Sequence, residues 1–130
     1  MISVALYAPS AYWSMTPKQK RNLCNGCGTK GLIGAVVPDS LWGLDITEAC
    51  HIHDYMYAVG ECIEDKHEAD RVFLNNMLRM IDALDSWFLI RWLRTRAAVK
   101  YYNAVRDFGG PAFWSGKNPV ENLGAASVAR

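Results

Sequence analysis

The chain lacks the uninterrupted run of roughly eighteen apolar residues that a membrane-spanning helix requires. Its best candidate, residues 87–90, is stopped by Arg91 and again by Arg94 and Arg96. The expectation is therefore a soluble or peripheral protein. Charge of one sign is lacking too: 14 Lys and Arg against 13 Asp and Glu leave a formal charge of +1. No global field argues for nucleic acid as a partner, and any anion binding must be local. Internal repeats and low-complexity tracts are absent, which sets aside fibrous and disordered classes. Cysteine is scarce, with four in 130 residues. An even count suits two disulfides outside the cell, but Cys24 and Cys27 form a C-x-x-C that serves equally as a thiol or metal pair inside it, so the compartment stays open.

What is present is globular. Apolar residues make up 51% and charged residues 21% of a 14.6 kDa chain, enough for one core and one domain over residues 1–130. Residues 1–17 carry no charge, yet they have no basic start and are interrupted by Pro9, Ser10, Ser14 and Pro17, which reads against a secretory signal.

Thr16-Pro17 opens a short helix expected to end near Leu23. Residues 24–31 hold Gly26, Gly28 and Gly31 and predict a tight irregular loop. Loop continues through residues 34–42, and strand evidence is confined to residues 32–37. Asp45 and Glu48 are spaced as a capping box for a first long helix ending at Gly60. A second is expected over residues 65–83 and a third over 86–105, stopped by Gly109-Gly110-Pro111. The tail beyond is read as irregular.

The chemistry concentrates on the first long helix. Cys50, His53, Asp54 and Tyr57 follow the i, i+3, i+4, i+7 spacing and share one stripe. Ile52, Tyr55 and Met56 on the other side predict a buried helix, where a carboxylate and an imidazole need partners. On the second helix Asp70, Phe73, Leu74, Met77 and Ile81 share a face, with Arg71, Asn75, Asn76 and Arg79 away from it. Antiparallel packing through the two stripes would bring Asp70 to His53 and Tyr57, a carboxylate-oriented imidazole suited to act as a general base. Asp54 alone cannot satisfy a hard cation, but carbonyls of the glycine loop can add oxygen ligands.

Residues Ala49-Cys50-His51-Ile52-His53-Asp54-Tyr55-Met56-Tyr57 resemble the Cys-Cys-x-x-His-Asp-x-Cys-Tyr helix of the secreted-type phospholipase A2 superfamily. Cys27-Gly28-Thr29-Lys30-Gly31 is similar to that family's calcium loop. The resemblance spans about residues 24–75 and rests on loop, helix motif and downstream Asp70 occurring in that order. It implies a mainly α fold: two long antiparallel helices carrying the active site, a calcium-binding loop and an additional C-terminal long helix.

By the same resemblance, His53 and Asp70 would be the catalytic pair, Tyr57 would support Asp70, and Cys27 would be bonded to Cys50. Asp54 and the carbonyls of Gly26, Gly28 and Lys30 would hold Ca²⁺, with Gly31 the alternative to Lys30. The implied activity is calcium-dependent lipid degradation: hydrolysis of the sn-2 ester of a glycerophospholipid at a membrane surface by a His-activated water. Secreted or membrane-surface action would follow, with nucleic acid excluded as a partner and the oligomeric state open. Tyr12, Trp13, Trp42 and Trp114 are candidate interface aromatics, and Lys18, Lys20, Arg21 and Lys30 candidate headgroup cations. Ala49 and Met56 stand where the family usually has cysteines, no counterpart of its β-hairpin lies between the two helices, and the chain reads as a reduced member.

Plainer readings compete. Asp70 serves as an early-turn carboxylate favoured by the helix dipole, His51 and His67 are ordinary surface or boundary histidines, and residues 87–93 form a core helix with a solvated basic edge. A zinc-structured interaction domain would use Cys24, Cys27, Cys50 and Cys62 or a nearby His. A non-catalytic lipid-binding module on the same fold is the other alternative. Whether Cys24 and Cys62 pair is left open.

Overall fold

A computed structural model describes residues 5–23, 38, 40–84, 86–115 and 117. Among these the chain is mainly helical. Its elements are α1 (Ser10–Trp13), α2 (Pro17–Leu23), β1 (Ser40–Leu41), β2 (Leu44–Asp45), α3 (Thr47–Val59), α4 (Ile63–Asp82), α5 (Phe88–Phe108) and α6 (Gly110–Trp114). The glycine loop and the strand expected over residues 32–37 fall outside the described residues.

Local chemistry accounts for most boundaries. Pro17 opens α2 with no N–H to leave unsatisfied, and the Thr16 hydroxyl accepts from the Gln19 N–H at 3.2 Å while the Gln19 side chain accepts from the Thr16 N–H at 2.9 Å. At α4 the Asp65 carboxylate accepts from the Cys62 N–H at 3.3 Å and the Glu61 N–H at 2.8 Å, which starts the helix two residues before the expected Asp65. The capping box expected at α3 does not form. Asp45 lies one residue before the cap and accepts from the Thr47 N–H at 2.8 Å and hydroxyl at 2.6 Å. Glu48 turns instead to the Tyr12 hydroxyl, which donates to it.

The region expected as loop before Trp42 contains a hairpin. Ser40 pairs with Asp45 and Leu41 with Leu44, joined by Trp42 and Gly43 with φ of 46° and 85°. Positive φ at both turn residues is the type I′ pattern, whose twist suits a two-residue hairpin. Trp42 in the left-handed region costs about 1 kcal/mol, and α5 offsets it. Arg94 donates from Nε to the Leu41 carbonyl at 3.2 Å and from Nη2 to the Trp42 carbonyl at 3.0 Å, and the Tyr101 hydroxyl donates to the Ser40 carbonyl at 3.0 Å. Two-residue strands are too short to show alternation in sequence, and contacts from a distant helix hold them.

The core forms where α3, α4, α5 and the hairpin meet: Leu41, Ile46, Ala49, Cys50, Phe73, Met77, Ile81, Ala98 and Val105 are buried together. Each large apolar side chain there contributes about 1.5–3 kcal/mol. A second cluster joins Tyr12, Ile52, Tyr55 and Val72, and a third joins Tyr57, Ala69 and Phe113. Asn76 is buried and not on the solvent face expected for it: it accepts from the Tyr7 N–H and donates to the Tyr7 carbonyl, both at 2.8 Å. That paired amide ties the N-terminal segment to α4, and helical spacing alone carries no signal of it.

The C-terminal side also differs from expectation. The chain after Gly109 continues as α6, with Pro111 in its first turn where the missing N–H costs nothing. Phe113 from α6 seats against Gly60, between α3 and α4, where an added Cβ would lie 2.7 Å from the ring. The segment read as a core helix with a basic edge is not core at its start, since Trp87, Phe88 and Trp92 are exposed. The residues of α5 that bury fully, Ala98 and Val105, lie at its midpoint and near its C-terminal end.

Candidate active site

Residues 60–62 connect α3 to α4, so the chain turns back sharply and the two helices pack face to face. This places His53 and Tyr57 opposite Asp70. The Oδ1 atom of Asp70 is shared: His53 Nε2 lies 2.8 Å from it and the Tyr57 hydroxyl donates to it at 2.7 Å. His53 is 3% exposed and Asp70 1% exposed, so the pair works in a low-dielectric setting where an orphaned charge would be costly.

Oδ2 of Asp70 has its own donor. Lys66, one turn earlier on α4, reaches it with Nζ at 2.8 Å and also donates to the Val105 and Arg106 carbonyls at 3.1 and 3.3 Å. A buried ammonium thus joins the site carboxylate to the last turn of α5, where the Val105 carbonyl also accepts from the Gly109 N–H at 2.9 Å and the helix dipole favours a cation. Sequence reading missed Lys66. The signal was there, because Lys66 and Asp70 are spaced i, i+4 and share a face.

The electrostatics follow from these contacts. Burial pushes the Asp70 carboxyl up, but the hydrogen bonds and charges of His53, Lys66 and Tyr57 outweigh it and hold the group below the usual carboxylate range. The Tyr57 phenol is driven strongly up, first by burial and then by the negative charges of Asp70 and Asp54, so it stays a protonated donor. Packing fixes the imidazole: its ring centroid lies 4.1 Å from that of Tyr57 and 4.7 Å from that of Phe73. With Nε2 committed to Asp70, Nδ1 is the nitrogen left for other chemistry, and among the described residues no donor or acceptor engages it. A third layer braces Tyr57, whose carbonyl accepts from the Lys117 ammonium, itself 3.8 Å from the centre of the Phe113 ring. Burial lowers the Lys117 pKa.

Asp54, half-buried on α3 next to His53, contributes a carboxylate near enough to Tyr57 to raise its pKa. Oxygen is the donor class that calcium takes. Gly26, Gly28 and Lys30, with Gly31 as the alternative, lie outside the described residues. Among the described residues no three His, Cys, Asp or Glu side chains converge on one point, so a metal beside Asp54 would draw most of its ligands from elsewhere. Cys50 is disulfide-bonded, which removes its sulfur from thiolate coordination, and its partner lies outside the described residues. Cys62 is an exposed free thiol and so does not pair with Cys24.

The interface aromatics and cations do not form one set. Tyr12 is fully buried, as its edge-on packing against Tyr55 requires, while Trp13 and Trp42 are 51% and 57% exposed. Trp114 is half-buried and Lys18 exposed, and Lys20 lies 4.4 Å from the Tyr12 ring centre. The side chains of Arg21 and Lys30 are outside the described residues. Of the histidines called ordinary, His51 is half-buried and His67 exposed. Comparisons of the chain with protein-family models, with curated proteins and with solved structures return no match.

Proposed function

We propose that this protein is a calcium-dependent phospholipase A2, hydrolysing the sn-2 ester of glycerophospholipids through a water activated by His53. The observation that carries this reading is the single oxygen of Asp70 shared by His53 at 2.8 Å and Tyr57 at 2.7 Å inside a buried helix pair. A structural ion pair asks only for charge neutralisation. Here the carboxylate orients one ring nitrogen, a phenol fixes the carboxylate, and the other nitrogen is unengaged among the described residues, as a base aimed at a water must be.

In this mechanism Nδ1 of His53 takes a proton from the attacking water as the oxygen adds to the ester carbonyl. Asp70 stabilises the resulting imidazolium and prevents ring rotation, and Tyr57 keeps Asp70 from turning away. The imidazolium then returns the proton to the departing alcohol oxygen of the lysolipid. Asp54 and the carbonyls of Gly26, Gly28 and Lys30 would hold the calcium ion. Bound there, that ion supplies Lewis-acid polarisation of the carbonyl and an anchor for the substrate phosphate. The glycine loop, helix motif and Asp70 occurring in the family's order support this assignment, as does the oxygen-donor character of Asp54.

The test is release of free fatty acid from diacyl phosphatidylcholine and phosphatidylglycerol vesicles with millimolar calcium or with chelator. His53→Gln should lower release by about 10²–10⁴-fold while retaining the helical circular dichroism spectrum, and Asp54→Asn should abolish calcium dependence. Wild-type protein that releases no fatty acid from any diacyl lipid, or an unimpaired His53→Gln, would overturn the assignment.

A further inference from the structure

The long α5 carries more than a brace for the hairpin. Among its residues are Arg91, Arg94, Arg96, Lys100 and Arg106 against the single carboxylate of Asp107, in a chain whose formal net charge is only +1. The helix therefore holds an excess of four positive charges that the rest of the molecule balances elsewhere. Its buried residues, Ala98 and Val105, define an inward side. At 100° per residue, Leu89, Trp92, Arg96, Val99 and Lys100 fall on the opposite side, with Phe88 on its flank.

That outer side is unusually apolar. Phe88 is 72% exposed, Trp92 51% and Val99 42%, and Trp87, in extended backbone just before the helix, is 66% exposed; the hairpin tip adds Trp42 across an open groove of about 1120 Å³ shared with Trp92, Arg96 and Lys100. The Arg96 guanidinium lies 4.9 Å from the Trp92 ring centre, an arrangement in which a cation keeps its charge outward while its stem and the ring form one apolar shoulder. Arg91 is already occupied by Asp82 at 2.5 Å and Arg94 by backbone carbonyls of the hairpin. Among the described residues Arg96 and Lys100 meet no carboxylate.

We propose that the outer face of α5, with Trp42, is a docking surface for an anionic phospholipid bilayer. Trp87, Phe88, Leu89 and Trp92 would enter the headgroup and acyl boundary, and Arg96 and Lys100 would meet lipid phosphates. Charge complementarity selects this occupant: exposed tryptophan and phenylalanine beside cations that meet no carboxylate among the described residues match an apolar slab with an anionic rim. A nucleic acid would use the cations but leave Phe88, Leu89 and Val99 facing water. The proposal names the surface by which the suggested lipid hydrolase would reach its substrate, and it rests on that reading only for its purpose, since binding requires no catalysis.

The experiment is co-sedimentation of the full chain, in chelator, with vesicles of phosphatidylcholine alone and of phosphatidylcholine mixed with phosphatidylglycerol, read alongside tryptophan emission. Binding to the anionic vesicles with a blue shift is expected, weakening with added salt. Phe88→Ala with Trp92→Ala should reduce affinity by about tenfold or more for each apolar anchor lost. Arg96→Glu with Lys100→Glu should reduce it by about fivefold for each cation lost, and only on anionic vesicles. Both sites are exposed, and circular dichroism would verify that the variants fold. Absence of wild-type binding to anionic vesicles, or variants that bind as wild type does, would overturn the proposal. So would an unchanged vesicle affinity accompanied by loss of a dimer in light scattering, which would assign the face to a second copy. No calcium or hydrolysis enters the readout, so failure here leaves the fatty-acid release test standing.

Discussion

Replacing Lys66 by methionine isolates the contribution of the ammonium, because the unbranched methionine side chain preserves much of the aliphatic stem. In the native chain Lys66 is 4% exposed and donates to Asp70 Oδ2 at 2.8 Å and to the carbonyls of Val105 and Arg106 at 3.1 and 3.3 Å. Its removal leaves Asp70 buried with both remaining donors on Oδ1 and leaves the last carbonyls of α5 without a cation. Breaking a buried pair by deleting one partner costs about 3–5 kcal/mol. Relief of the lysine's own desolvation reduces this, so a loss near the lower bound, about 3 kcal/mol, is expected. Urea unfolding should show it as a lower midpoint with an unchanged slope. Adding Asp70→Asn to Lys66→Met closes a double-mutant cycle, and the pair should cost less than the two single changes together by about 2 kcal/mol. A loss under about 1 kcal/mol, the level of an exposed ion pair, would refute the reasoning by showing that water or local rearrangement satisfies Asp70 without Lys66.

Three further outcomes follow from the same geometry. Gly60→Ala places a methyl 2.7 Å from the Phe113 ring and 3.0 Å from the Met56 carbonyl, so overpacking should cost about 1–3 kcal/mol in thermal or urea unfolding. Trimming Phe113 to leucine in the same chain should recover part of that loss. Tyr57→Phe deletes the 2.7 Å bond to Asp70, with an expected stability loss of about 1.5–3 kcal/mol for a hydrogen bond to a charged group and a reduced rate of fatty-acid release. For pH dependence, the folded-state pKa of Asp70 is depressed by its donors. Its stabilisation is therefore complete above the unfolded carboxylate value of about 3.9 and fades as pH falls through the lower folded value. Thermal midpoints below about pH 4 should fall more steeply for wild type than for Asp70→Asn.

Elements with their own local signal were legible in the sequence. Three long helices were visible from periodicity and breakers, and α2 from Thr16-Pro17, because each carries its start or stop within a few residues. What escaped was fixed from a distance. The hairpin depends on Arg94 and Tyr101, which lie 53 and 61 residues downstream of the Leu41 and Ser40 carbonyls they bond. Asn76 is buried only because Tyr7 presents both backbone groups to it, and Glu48 abandons the expected capping box because Tyr12 arrives from α1. The grouping of His53, Asp70 and Tyr57 was readable since two helical stripes constrain it. Lys66 lay on the same stripe and was passed over because a lysine is expected to be solvated, and nothing local reveals that the end of α5 covers it. The resulting asymmetry is physical: spacing along a helix determines which side chains face together, whereas the neighbour that desolvates them determines which must be charged, neutral or paired. In this chain that neighbour is α5, whose C-terminal turn is bonded by the buried lysine against the site carboxylate and whose N-terminal half keeps Phe88 and Trp92 exposed. One helix therefore tightens the catalytic candidate at one end and offers a contact surface at the other, so substitutions at Lys66 and at Trp92 should separate into stability and vesicle-binding effects with little coupling between them.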